Sequence, residues 1–217
     1  MQEVSGLNVE VKGNNNTIKF DEETKFLRSR IMVDGENNTI ILGNTLRYSD
    51  FVINIKGNNK KITIANSTKN INGLKIVSIR GEGQTVSIGD NFSCGGMEIQ
   101  MNDENETLTI GDNCLFSWGI KARTSDGHSI VDLVTNRAIN LPKDIVIADR
   151  VWVGEDVSFL KGSKISSDSV VGSRAVVTKP FEESHVVVAG FPAKVVKKNI
   201  KWDRRRPSEY NSQVQIL

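Results

Sequence analysis

The amino-acid sequence predicts an all-β parallel solenoid, and three observations lead to that fold class. From Ile147 to Pro180 the chain reads in sixes, as IADRVW, VGEDVS, FLKGSK, ISSDSV, VGSRAV and VTKP, each led by an aliphatic or aromatic residue. The first half repeats at a longer period, and no segment shows a sustained period of 3.6 residues. A period of six fits neither a helix nor an alternating strand. Each repeat is therefore predicted to be a short strand and a turn that bury their apolar face only by stacking.

The regular sixes predict which side chains face the core. The leading residues and the smaller fifth-place residues are both predicted to point inward, and three sixes close one triangular coil. The inward set comprises Ile147, Val153, Phe159, Ile165, Val171 and Val177 in first place and Val151, Val157, Ser163, Ser169 and Ala175 in fifth place.

The longer repeats of the first half begin at GNNNTIKF, GENNTIIL, GNNKKITI, GEGQTVSI and DENETLTI. Their aligned aliphatic residues are predicted to occupy equivalent strands in successive coils, and they are Ile18, Ile40, Ile62, Val86 and Leu108. Since Gly and Asn tolerate positive φ, the Gly-Asn clusters mark corners. A right-handed β-helix with longer coils fits this half equally well. The regular sixes favour one coil type for the whole chain.

We expect a single β-helix domain over residues 1–192. It has irregular longer coils over 1–110, a projecting loop at 123–143 where the repeat lapses, and regular hexapeptide coils over 147–182. Projecting loops on rigid scaffolds tend to carry function. The short C-terminal tail, 193–217, is a candidate cap for the exposed end of the solenoid or a strap onto a neighbouring subunit.

Composition narrows the function classes. The 28 Lys and Arg against 26 Asp and Glu give a net charge of +2, which argues against a nucleic-acid partner. No segment approaches the ~20 apolar residues of a membrane span, and the N-terminus lacks the pattern of a signal peptide, so we expect a cytoplasmic protein. Cys94 and Cys114 are expected to be reduced core residues. With only two histidines, the chain is not expected to hold a metal.

Two residues are candidates for chemistry on position alone. His128 lies in the interrupting loop, in RTSDGHSI, and an imidazole there can take a proton from an alcohol. The alternative is a surface histidine without a functional role. Trp152 occupies the sixth place of its hexad, on the outside of the coil, where a large aromatic ring needs cover from a ligand or another subunit.

The string RTSDGHSI, followed by DIVIADRVWVGEDVSFLKGSKI, resembles the hexapeptide-repeat O-acetyltransferases. That resemblance implies a left-handed parallel β-helix, an exception to the right-handed crossover rule. It also implies that His128 deprotonates a sugar hydroxyl that attacks acetyl-CoA directly, and that Trp152 lines the pantetheine and thioester channel. The resemblance extends from about Ile88 to Trp202.

The stretch VVGSRAVVTKPFEESHVVVAGFPAKVVKK resembles the CoA-binding segment of the same family. By that resemblance Ser173 and Thr178 contact the pantetheine arm, while Lys179 and Lys197 lie near the phosphates or adenine. Ser173 replaces the usual Ala, and Phe191 replaces the usual Asn. The alternative for each lysine is a solvated charge at a strand edge.

Two residues near the loop are candidates for acceptor binding. Arg123 precedes the loop and is expected either to meet a carboxylated acceptor or to support the turns of the loop. Trp118 is expected either to wall the acceptor site or to pack in the core.

Within the family the sequence looks most like the capsule and polysialic acid O-acetyltransferases, which share its additional N-terminal coils and a C-terminal NIKW segment. The resemblance predicts acetyl transfer from acetyl-CoA to a capsular or sialic-acid-containing polysaccharide, by a homotrimer with active sites between subunits. One alternative is a small-molecule acetyltransferase acting on a simple sugar, serine or an antibiotic. The alternative from another class is a non-catalytic β-solenoid that binds a partner.

Overall fold

A computed structural model describes residues 4–213, and its strands form three parallel sheets around one core. Every coil contributes one strand to each sheet, and eight coils stack into a three-sided prism. The predicted parallel β-solenoid is therefore confirmed.

The strands of each sheet succeed one another from the first coil to the last. Sheet A comprises β1 (Leu7–Lys12), β4 (Ser29–Asp34), β7 (Val52–Lys56), β10 (Leu74–Ser78), β13 (Met97–Gln100), β16 (Ile120–Arg123), β19 (Ser158–Leu160) and β22 (Val176–Val177). Sheet B comprises β2 (Thr17–Phe20), β5 (Thr39–Leu42), β8 (Lys61–Ile64), β11 (Thr85–Ile88), β14 (Thr107–Ile110), β17 (Ile145–Ile147), β20 (Lys164–Ile165) and β23 (Pro180–Phe181). Sheet C comprises β3 (Phe26–Leu27), β6 (Arg47–Ser49), β9 (Asn70–Asn72), β12 (Ser93–Cys94), β15 (Leu115–Phe116), β18 (Trp152–Val153), β21 (Val170–Val171), β24 (Val187–Gly190) and the antiparallel β25 (Ala193–Lys197). The one helix in the described residues is α1 (Pro207–Gln213).

The register of the strands reproduces both repeats of the sequence. In sheet B, Ile18 pairs with Ile40, which pairs with Ile62, and Val86 lies between Ile62 and Leu108. All eleven inward positions predicted from the regular sixes are buried. Because every coil buries the same positions and the coils stack in register, the inward positions could be read directly from the sequence.

The Gly-Asn clusters form the corner between sheets A and B, hereafter the A/B corner. Asn37 and Asn59 adopt φ values of 58° and 60°, in the left-handed region that asparagine tolerates. At Gly35 an added Cβ would lie 2.0 Å from the carbonyl oxygen of Gly57 in the next coil, so this corner accepts no side chain. The corners therefore stack as closely as the strands do.

One coil type runs through the whole prism, although the coil length changes. Stacked residues are 22 apart at Glu36 and Asn58, and 18 apart at Arg150 and Asp168. Between them, the coil that carries the loop separates Asp112 from Asp149 by 37 residues. The same three sheets continue across all of these coils, so the longer repeats do not form a second kind of helix.

The core is a single column of apolar side chains. At its middle Phe116 contacts Phe92 edge to face and Phe159 in a stacked arrangement, with ring centroids 5.1 and 6.5 Å apart. Cys94 and Cys114 are both buried and free, as expected from the sequence. Burial raises the pKa of each thiol to about 12, which keeps both thiols protonated.

The C-terminal segment folds back along its own chain at the corner between sheets B and C, the B/C corner. Ile200 donates its N–H to the His185 carbonyl, and the Trp202 indole donates to the Arg150 carbonyl at 2.5 Å. The Arg204 guanidinium then reaches Ser93 Oγ at 2.9 Å and other oxygens of that corner. In the described chain this segment is thus a strap across four of its own coils, and the strand β25 covers the end of sheet C.

Helix α1 was not predicted. Only the residues at its start favour a helix. Pro207 occupies the first helical position, and the Glu209 carboxylate accepts the N–H of Arg206, which is one of the two hydrogen bonds of a capping box. Residues 1–3 and 214–217 of the predicted domain and tail lie outside the described residues.

Candidate active site

The interrupting loop occupies residues 124–144, between β16 in sheet A and β17 in sheet B, so it leaves the prism at the A/B corner. His128 lies on its first limb, and its side chain is exposed. The loop closes as a small hairpin, in which Ile139 donates its N–H to the Ile130 carbonyl at 2.9 Å. The candidate base is therefore presented on the outside of a rigid scaffold.

Trp152 is the first residue of β18 in sheet C and is 42% exposed, consistent with its outward position in the hexad. Its indole lies beside that of Trp202, with ring centroids 6.3 Å apart. Trp202 comes from the C-terminal strap. Part of the cover that an outward tryptophan needs is thus supplied by the same chain.

Trp118 and Ser173 lie at the third corner, between sheets C and A, which we call the C/A corner. Trp118 is 60% exposed, so the alternative that placed it in the core is wrong. Its carbonyl accepts the N–H of Asp156 in the next coil. Ser173 stacks below Gly154, where an added Cβ would lie 2.7 Å from both the backbone nitrogen and the hydroxyl of Ser173.

The remaining predicted residues divide between two places. Arg123 ends β16, and Thr178 and Lys179 lie between β22 and β23, so all three are at the A/B corner that carries the loop. The ammonium of Lys179 lies 5.8 Å from the Phe181 ring centroid. Lys197 ends β25, at the edge of sheet C.

The structure does not bring all the predicted residues together within one chain. His128, Arg123 and Lys179 belong to the A/B corner, whereas Trp152 belongs to the face of sheet C. In a three-sided prism the A/B corner lies opposite that face. A site that uses both His128 and Trp152 therefore needs a second copy of the chain.

Three residues at the base of the loop were missed as a group. The Asp126 carboxylate accepts hydrogen bonds from the Asn140 amide at 2.7 Å and from the Lys161 ammonium at 2.5 Å. Lys161, followed by Asn140, lowers the pKa of Asp126. The hydrogen-bond partners of the Asp126 side chain are thus Asn140 and Lys161. No sequence period links these positions.

A column of buried polar side chains runs along the inside of the A/B corner and ends beneath the loop. Gln84 and Glu106 are both 2% exposed, and the Thr124 hydroxyl donates to Glu106 Oε1 at 2.8 Å. Two coils away, the buried Lys60 ammonium donates to the backbone and hydroxyl oxygens of Ser78. Burial lowers the pKa of Lys60 to about 8. This column connects the first residue of the loop with the interior of the prism.

The largest hollows found on the described residues are lined by neither His128 nor Trp152. Large hollows of about 770 and 820 Å³ lie at the N-terminal end of the prism and are lined by residues such as Leu27, in the first coil. Among residues 4–213 no group of three or more His, Cys, Asp and Glu side chains is arranged to hold a metal ion. No helix in the same range is long and apolar enough to cross a membrane.

No protein-family model matches the chain. A segment of 97 residues is 38% identical to the polysialic acid O-acetyltransferase of Escherichia coli O1:K1 / APEC, covering 45% of this chain and 31% of that protein. A segment of 93 residues is 35% identical to the polysialic acid O-acetyltransferase of Neisseria meningitidis, covering 43% of each chain. The matched segment thus spans less than half the length of either curated relative.

The similarity to a solved structure covers nearly the whole chain. The crystallographic structure of the polysialic acid O-acetyltransferase OatWY superposes with a TM-score of 0.84 and 31% sequence identity, covering 96% of this chain and 98% of that one. The shared fold therefore includes the additional N-terminal coils. The chain belongs to the polysialic acid O-acetyltransferase family of left-handed β-helix, hexapeptide-repeat acetyltransferases.

Proposed function

We propose that this protein is an acetyl-CoA-dependent O-acetyltransferase that acetylates a hydroxyl of a sialic-acid-containing capsular polysaccharide. The observation that carries the proposal is His128, an exposed imidazole on a braced loop that interrupts regular coils in a chain of this family. A non-catalytic solenoid has no need to interrupt its repeat with such a loop. Family membership supports the acceptor class.

In this proposal His128 is the general base. A ring nitrogen of His128 accepts the proton of the sugar hydroxyl while the hydroxyl oxygen attacks the acyl carbon, and the imidazolium can then return that proton to the departing thiolate. Acetyl-CoA supplies the activated thioester, so no acyl-enzyme is required. Removing a general base of this kind typically costs about 10²- to 10⁴-fold in rate.

The exposed residues fit a ligand with an apolar arm and several phosphates. Trp152 offers an outward aromatic surface for the arm, and Ser173 and Thr178 offer polar or backbone contacts. Lys179 and Lys197 are exposed ammonium groups suited to phosphates. We propose that these five residues hold acetyl-CoA.

We further propose a homotrimer with active sites between subunits. His128 and Trp152 lie on opposite sides of one prism, so a shared site requires two chains. The tip of the loop exposes Leu133 and Val134 almost completely, at 98% and 92%. A contiguous apolar patch of this kind is typical of a protein interface. A neighbouring subunit would cover the tip and bring its sheet C towards His128.

For the acceptor, positive charge near the loop favours an anionic polymer. Arg123 and Lys121 project from the outer face of β16, beside the loop, and on the same face Glu98 lies between Lys121 and Lys75 and offsets part of their charge. Arg123 would meet an acceptor carboxylate, and the exposed Trp118 would wall the acceptor site. A cytoplasmic location is proposed because acetyl-CoA is available there.

The test is release of CoA thiol from acetyl-CoA with polysialic acid, neutral dextran, monomeric sialic acid, a simple sugar and serine as acceptors. We expect release that depends on polysialic acid and falls with added salt. His128→Ala should abolish transfer while retaining CoA binding, and Trp152→Ala should weaken both. His185→Asn is the matched control, because asparagine tolerates the positive φ of 59° at that corner. Full activity in His128→Ala would refute the general-base assignment.

A mixing experiment tests the shared site. The inactive His128→Ala chain and the weakened Trp152→Ala chain are co-expressed with different tags, and mixed oligomers are purified. If the two residues act across an interface, about one in three sites of each mixed trimer carries both intact residues, and activity returns to about a third of the wild-type level. Mixed oligomers no more active than the Trp152→Ala oligomer would place both residues of a site in one chain and refute the arrangement.

A further inference from the structure

The loop that carries His128 has two parts, an outer hairpin and a base next to the prism. Val131 and Ala138 form an antiparallel bridge, and Asp132 accepts hydrogen bonds from the residues of the tip, so the outer part is a self-contained hairpin. His128 lies outside this hairpin, on the limb nearer to the prism. Its position therefore depends on contacts at the base of the loop.

The Asn140 side chain supplies those contacts on both sides of His128. Asn140 Oδ1 accepts the N–H of Ile130 at 2.7 Å, and Asn140 Nδ2 donates to the His128 carbonyl at 2.8 Å. The same Nδ2 donates to Asp126 Oδ2 at 2.7 Å. One amide thus holds the backbone at and after His128, and it also binds the Asp126 side chain before it. Only a carboxamide offers an acceptor and two donors in this geometry.

Lys161 connects this arrangement to the solenoid. It lies between β19 and β20 in the next coil, at the same A/B corner. Its ammonium donates to Asp126 Oδ2 at 2.5 Å and to the Asn140 carbonyl at 2.6 Å, and its side chain is only 19% exposed. Because Lys161 stands on a regular 18-residue coil, it is held by the stacked strands. The loop base is therefore tied to the stacked coils of the solenoid.

We propose that Asn140 and Lys161 are positioning residues for the transfer reaction, acting as a clamp that holds the backbone of His128 at the catalytic position. The proposal rests on the proposed function of His128 as the base. Because the imidazole is exposed, few neighbouring side chains hold the ring, and its position depends on the backbone of residue 128. A displacement of about 1 Å in a catalytic group can cost about 10²-fold in rate.

The experiment measures kcat and KM for acetyl-CoA in Asn140→Ala, Asn140→Asp and Lys161→Met. Asn140→Asp keeps the acceptor for Ile130 but loses both donors, and its shape is unchanged. We expect kcat to fall about 10- to 100-fold in all three variants, with KM for acetyl-CoA within about twofold of wild type. Lys161→Arg, which keeps a charged donor, should recover part of the loss.

Lys164→Met is the matched control. Lys164 lies three residues from Lys161 and also forms an ion pair, at 2.6 Å with Glu182, but it makes no contact with the loop. Its kcat should stay within about twofold of wild type. Equal losses in Lys161→Met and Lys164→Met would overturn the clamp, and so would a rise in KM with unchanged kcat.

A second measurement tests the clamp without relying on activity. The chain has only two histidines, so the imidazole Cε1–H region of a carbon–proton NMR spectrum contains two signals. We expect the His128 signal to shift or broaden in Lys161→Met and Asn140→Asp, while the His185 signal stays unchanged because its ring bonds to the Ile200 carbonyl. Unchanged spectra would overturn the clamp. If wild type transfers no acetyl group to any acceptor, the proposed function fails and this spectrum still decides the clamp.

Discussion

Replacing Glu106 by leucine should destabilise the fold through the hydrogen-bond donors that it leaves without an acceptor. Glu106 Oε1 accepts the Thr124 hydroxyl at 2.8 Å, and Oε2 accepts the Asp103 N–H at 2.9 Å. The Gln84 amide is a distant third donor at 3.5 Å and has carbonyl partners of its own. Leucine has a similar size but no acceptor. One buried and one partly buried donor at about 1–3 kcal/mol each predict a loss of about 2–6 kcal/mol in the free energy of unfolding.

The comparison with glutamine separates lost hydrogen bonds from lost volume. In Glu106→Gln the carboxamide oxygen can still accept the Asp103 N–H, and its amide group can donate to the Thr124 hydroxyl, which also acts as an acceptor. We expect a loss below about 2 kcal/mol for this variant. The double variant Glu106→Leu with Thr124→Val should recover about 1 kcal/mol, since it removes one stranded donor.

The assay is guanidinium unfolding followed by circular dichroism at pH 7 and at fixed protein concentration, because oligomerisation makes apparent stability depend on concentration. Glu104→Leu is the control, since Glu104 is an exposed neighbour in the same corner and should change the stability by less than about 1 kcal/mol. A loss below about 1 kcal/mol in Glu106→Leu, or equal losses in the leucine and glutamine variants, would refute the reasoning.

Three further predictions concern other parts of the prism. Because burial lowers the pKa of Lys60 from 10.5 to about 8, the unfolded chain holds a proton that the folded chain has released across this window. The stability of wild type relative to Lys60→Met should therefore rise by about 3 kcal/mol as pH increases from about 8 to 10.5, and parallel unfolding curves would contradict this. At Asn37, φ is 58°, so Asn37→Val should lower the free energy of unfolding by about 1–2 kcal/mol while Asn37→Gly stays within about 1 kcal/mol of wild type; equal effects would exclude backbone strain. Arg204→Ala should release the C-terminal strap and speed amide hydrogen exchange around Trp202 by at least about tenfold, and Arg204→Lys should not rescue it, because a single ammonium cannot replace the forked contacts with Ser93 Oγ and the Cys114 carbonyl.

The inward positions of the regular coils illustrate what sequence reasoning could reach. Val153 and Phe159 recur six residues apart, and both are fully buried. The same holds in the longer coils, where Ile40 and Ile62 recur at 22 residues and pair in sheet B. The same positions are buried in every coil, so the apolar residues recur at a fixed spacing in the sequence. The candidate base was also visible, because His128 lies where the period lapses.

Contacts between residues that do not recur at a fixed spacing could not be predicted from the sequence. Asn140 and Lys161 are 21 residues apart, and only the stacking of one coil on the next brings them to Asp126. The strap was foreseen as a cap or as a contact with another subunit, but Trp202 lies against the coils of its own chain, beside Trp152. Helix α1 is seven residues long and too short to show a helical period.

The sequence by itself determined the coil, the core positions, the interrupting loop and the residue types suited to acetyl transfer, because each coil must bury the same positions as its neighbours. Only the tertiary structure decided the corner at which each functional residue lies. His128 lies between β16 in sheet A and β17 in sheet B, whereas Trp152 begins β18 in sheet C, so the arrangement of the three sheets sets them on opposite sides. Distance along the chain carries no information about that separation, since position around a coil depends on how every earlier corner turns.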